Sequence, residues 1–160
     1  MTPDIEPRHL HLVPPAVPVS IVPVAGHVGA YGVRRGGPVE ALVWQGGADW
    51  HVLYGWVPAP GEAGEWTGSA TISRFMTDEQ VGNAAAELVD AHALGVKDWA
   101  ELLGRLIDVG GMVADLGRLH APDKLGYCTG DNAENEDDRT SWRACVTVRM
   151  LAGSVGLDLT

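Results

Sequence analysis

Near Met76 the apolar residues change their period, and that change limits the folds open to this chain. Ahead of it, Val17–Val24, His27–Val33, Val39–Gln45, Trp50–Val57 and Glu65–Phe75 are dense in Val, Ile, Trp and Tyr, which suit a pleated surface. Behind it, Val81, Ala84, Ala85, Leu88 and Val89 recur at helical spacing, as do Trp99, Leu102, Leu103, Leu106 and Ile107. Strands first and helices afterwards predict an α+β fold, not alternating βαβ units. The expected architecture is an N-terminal antiparallel β-meander of four or five strands followed by three or four helices packed on it. With 160 residues, 46% of them hydrophobic, one core and one domain suffice. The domain is expected over 17–160, strand-rich to 76 and helical from 77, behind a flexible segment at 1–16.

Local signals support the division. Gly46-Gly47-Ala48-Asp49 reads as a hairpin turn and Pro58–Gly64 as a longer loop. Pro18 and Pro23 each remove a ladder donor, so the first strand belongs at an edge. Thr77-Asp78-Glu79-Gln80 fits a capping box, and Gly95 a helix stop. Asp98 is placed to open a second helix, and Gly110-Gly111 separates it from a third that uses Met112, Val113, Leu116 and Leu119. A fourth helix is expected from Ser141 to about Ala152. Asp131–Asp138, with five acidic residues in eight, reads as a solvated loop.

Charge and motifs exclude several functions. The net charge is −10: Met1–Phe75 holds six acidic and four basic residues, Met76–Thr160 fifteen and seven. Nucleic-acid binding relies on Lys and Arg at phosphates, so this balance opposes it. The acidic helical half leaves nucleic-acid mimicry as an alternative. Arg34-Arg35 is the one basic doublet and reads as solvation. No Gly-rich loop joins a strand to a helix, so a phosphate cradle is unsupported. Neither a nucleophile-elbow Ser nor a His-Glu-x-x-His occurs, so no catalytic residues are assigned and the chain reads as a non-enzyme. No apolar run reaches the roughly 20 residues of a membrane span. The opening Met1–Leu12 is polar, unlike a signal peptide. Two cysteines in 160 residues suit a reducing compartment, so a cytoplasmic location is expected.

The unusual side chains gather near the C-terminus, in Leu119-His120-Ala121-Pro122, Cys128-Thr129-Gly130-Asp131 and Trp142-Arg143-Ala144-Cys145-Val146-Thr147-Val148-Arg149-Met150-Leu151. This stretch resembles a tail of small actinobacterial and actinophage proteins of unknown function. There, Leu-His-x-Pro precedes Cys-x-x-Cys and then Trp-Pro-Cys-x-Thr-x-Arg-x-Leu. The resemblance covers about a fifth of the chain. Nine Arg against two Lys, 21 Gly and a single Phe fit the high-GC coding that such an origin implies. Asp131 stands where the second cysteine of the pair would be, and Arg143-Ala144 where the proline would be. Zinc takes four N, S or O donors, and the tail supplies His120, Cys128, Asp131 and Cys145. Against that stands a structural reading, with Cys145 a small buried hydrophobe beside Val148 and Leu151 and Cys128 a loop thiol.

Four of the six tryptophans lie in the strand region. Trp44 and Trp99 read as core. Trp56 and Trp66 flank the Pro58–Gly64 loop, so Trp56, Pro58, Pro60 and Trp66 form the candidate contact surface. The leading functional reading is a cytoplasmic, phage-type interaction or accessory protein that binds a protein partner. The alternatives are a zinc-stabilised binding domain using the C-terminal tail and a small enzyme using His51 or His120.

Overall fold

A computed structural model describes residues 17–73, 75–130 and 136–160. The 1–16 segment, Asp131 and most of the acidic loop lie outside the described residues. Five strands form one antiparallel sheet in sequence order: β1 Ser20–Pro23, β2 Ala30–Arg34, β3 Ala41–Gly46, β4 Asp49–Ala59 and β5 Glu62–Ser73. The helices follow as α1 Asp78–Ala93, α2 Trp99–Val109, α3 Gly111–Leu119 and α4 Val146–Ser154, so the α+β fold is the one the sequence implies. No helix among the described residues is long and apolar enough to cross a membrane.

One sheet face carries Val33, Ala41, Val43, Trp50, Val52, Tyr54 and Ile72, all buried. Their alternation with half-buried or exposed neighbours along β3 and β4 marks a sheet covered on one side. Val81, Ala84, Ala85 and Leu88 of α1 and Leu102, Leu103 and Leu106 of α2 fill the facing layer. The capping box at Thr77 forms as expected: its hydroxyl accepts from the Gln80 N–H, and the Gln80 side chain accepts from the Thr77 N–H.

Several expectations are corrected. Trp44 is half-buried on the open sheet face, stacked on His51, while Trp50 and Trp142 join Trp99 inside. Trp44 pairs with His51 across the β3–β4 ladder, and strand alternation turns it away from the helices. Most of the Pro58–Gly64 loop is strand: β4 and β5 run on to a turn at Pro60-Gly61. Pro58 is tolerated because the register shifts between Val57 and Ala59, where no ladder donor is required. On α3, Met112, Leu116 and Leu119 face outward and only Ala114 and Gly117 are buried. A side chain at Gly117 would overlap Leu106, so close approach to α2 selects the small face. Asp98 is the N-cap residue of α2, as expected, but its side chain makes no capping hydrogen bond. It sits at φ 70° and pairs with Arg143 at 2.7 Å. The segment from Ser141 forms a short 3-10 turn, Trp142–Ala144, before α4 begins at Val146.

Two arginines tie layers together. Arg35 reaches both Glu40 and Asp90 at 2.7 Å, and hydrogen bonds to Asp90 first and Glu40 second raise its already high pKa. The basic doublet is therefore engaged within the protein through Arg35. Arg118 of α3 holds Glu87 of α1 at 2.6 Å and Asp115 at 2.7 Å.

Candidate metal centre

Beyond α3 the chain builds a small irregular hairpin. His120 ends α3, and Pro122 bridges to Cys128 while Tyr127 bridges to Ser141. The turn between is organised by Asp123, whose Oδ1 accepts from the N–H groups of Leu125 (2.8 Å) and Tyr127 (2.9 Å). The Tyr127 bond, helped by Leu125 and the charge of Arg139, holds the Asp123 carboxyl below its usual pKa. Thr129 closes the hairpin on the helix end: its N–H and hydroxyl both donate to the Ala121 carbonyl, at 3.0 and 2.7 Å. Cys145 stands at the start of α4, directly after the Trp142 turn.

These elements bring three donors to one point. His120 Nδ1 lies 3.3 Å from Cys128 Sγ and 3.6 Å from Cys145 Sγ, and the two sulfurs are 3.4 Å apart. Both cysteines are buried and His120 is half-buried. No disulfide joins the thiols. With Zn–S near 2.3 Å and Zn–N near 2.0–2.1 Å, a tetrahedral ion requires its donors about 3.5–3.8 Å apart. The observed triangle matches that spacing to within a few tenths of an ångström. Gly130 keeps it open, because a Cβ there would overlap the His120 ring at Nδ1.

Of the four donors expected from the sequence, His120, Cys128 and Cys145 converge. Asp131 lies outside the described residues. Cys128, the loop thiol of the structural reading, is buried against Cys145. Cys145 does pack near Val148 and Leu151, but at the head of α4 and not on its flank. His51 stacks on Trp44, and its Nε2 is 3.3 Å from the Gly46 carbonyl.

The second candidate surface, Trp56, Pro58, Pro60 and Trp66, clusters at the far tip of the β4–β5 hairpin. Trp56 and Trp66 are cross-strand partners with ring centroids 5.0 Å apart, and Trp56 is 48% exposed. Sequence reasoning missed Gly130 and Thr129, whose importance depends on where His120 and Ala121 fall in space. Comparison with protein-family models, curated proteins and solved structures finds no match.

Proposed function

We propose that this chain is a zinc-stabilised binding domain without catalytic activity of its own, in which His120, Cys128 and Cys145 hold the ion. The observation that carries this is the convergence of three donor atoms within 3.6 Å of one another, from three separate segments. Two thiolates and an imidazole favour zinc over magnesium or calcium, which prefer oxygen. Asp131, next after Gly130, is the sequence candidate for the fourth position. Metal there would lock the end of α3, the 122–128 hairpin and the start of α4 together, a structural role. A protein partner fits the half-exposed Trp56 beside Trp66, since exposed tryptophans are favoured contact anchors.

Metal analysis of the purified chain, with competition by a chromogenic chelator, tests the metal assignment. The expected result is one zinc per chain, lost in Cys128→Ser and in Cys145→Ser. Cobalt substitution should add a thiolate charge-transfer band to a tetrahedral spectrum. A chain that neither retains zinc nor binds it below micromolar concentration would overturn the assignment.

A further inference from the structure

The two edges of the sheet are built differently. β1 is four residues long, contains Pro23 and follows Pro18, so it offers little to an incoming strand. β5 is twelve residues long, contains no proline or lysine, and has β4 as its one neighbour in the sheet. Its charges, Glu62 and Glu65, stand at the turn end, and Thr67-Gly68-Ser69-Ala70-Thr71 is uncharged. Among the described residues, the one backbone hydrogen bond to β5 from outside the ladder is Met76 N–H to the Ser73 carbonyl.

A cleft of about 920 Å³ follows this open stretch. All five residues from Thr67 to Thr71 line it. Successive strand residues point to opposite faces, so five in a row border one cleft only along the strand's edge. The opposite wall is α2, through Glu101, Arg105 and Asp108 at i, i+4 and i+7. Gly104 brings the helix against the strand, since a Cβ there would sit 3.2 Å from the Ala70 Cβ.

We propose that the β5 edge and α2 form a docking groove for an extended peptide of about five residues that adds to the sheet as a sixth strand. Charges along the wall specify its ends. Glu101 is paired with Arg105 at 2.8 Å, and Asp98 with Arg143 at 2.7 Å. Lys97 and Asp108 are exposed and form no ion pair among the described residues. Nine residues of helical rise, roughly 14 Å, separate Trp99 from Asp108, and Lys97 stands two residues ahead of the helix, so the two charges flank a span of about five extended residues. The peptide that fits therefore carries an acidic side chain toward Lys97 and a basic one toward Asp108. This deepens the binding half of the proposed function and does not depend on the metal.

The test uses the full chain and blocked synthetic heptapeptides with alternating β-branched residues, in three classes: acidic at both ends, basic at both ends, and one of each. The mixed class should bind at least tenfold tighter than the others and slow amide exchange within 67–71 by at least tenfold. Lys97→Glu should shift the preference to the doubly basic class, and Asp108→Lys to the doubly acidic class. Both positions are exposed, so melting temperature and zinc content should stay unchanged, which separates this result from the metal assignment. Absence of binding by every class would overturn the proposal, as would binding whose charge preference ignores both variants. Protection of the same amides by protein concentration alone would also overturn it, by showing a second copy of the chain on that edge.

Discussion

Gly130 shows how much of the site rests on one missing side chain. Alanine there would push the His120 ring off the two sulfurs without touching the sheet or α1. Gly130→Ala is expected to weaken zinc binding at least tenfold in chelator competition, with far-ultraviolet dichroism unchanged. Asp123 supplies the other residue-level test. Its folded pKa lies below the unfolded value near 3.9, so its contribution is present above that pH. The contribution is lost as pH falls through the lower, folded value. Asp123→Asn should therefore show a shallower fall in the urea midpoint below about pH 4 than the parent chain, with the same excess of zinc in both so that ligand protonation is common to the two. A parallel fall in both proteins would show that this carboxylate does not organise the turn.

At the scale of elements, Arg143 joins pieces that are distant in sequence. It donates to Asp98 ahead of α2, to the Leu159 carbonyl and, at 2.9 Å, to the Thr160 carbonyl. Truncation leaves the half-buried Asp98 without its partner, so Arg143→Ala should cost about 1–3 kcal/mol in chemical denaturation. The conservative Arg143→Lys should recover only part of that, because one ammonium cannot reproduce the fork. Nothing local announced this pairing: Asp98 has the residue type and position of a helix cap, and only the left-handed backbone at Asp98 turns it elsewhere. The same contrast runs through the fold. Periodic apolar runs and the Thr77 box are short-range signals, and they give the five strands in order and α1, but not the facing ends of β4 and β5. Trp44 and the outward face of α3 were misjudged because burial depends on which layer arrives, and a hydrophobic residue carries no label for its face. The candidate metal donors are recognisable by type, but separations of 8 and 17 residues identify no standard knuckle. Their meeting depends on the Pro122–Cys128 bridge and the Trp142 turn, both set by tertiary contact.

For the whole molecule, one apolar cluster runs from Val33 of β2 to Ala152 of α4. Most of its members lie in the sheet, α1 and α2, whereas α3 buries little beyond Ala114 and Gly117. The C-terminal part enters the cluster through Trp142, packed edge-on to Trp99 at 5.8 Å, Val148, Cys128 and Cys145. Structural zinc contributes about 10–16 kcal/mol of apparent binding free energy in small zinc domains, more than a short irregular segment otherwise gathers. Stripping the metal should therefore loosen 111–160 while the strand ladders stay closed. Amide exchange with and without a strong chelator measures this directly. Protection should fall by at least tenfold for Cys128, whose N–H donates to the Thr140 carbonyl, and for α4, and change less than threefold in β3 and β4. Uniform loss across the sheet would mean that the ion holds the entire domain, and no loss anywhere would mean that Trp142 packing alone holds the C-terminal part.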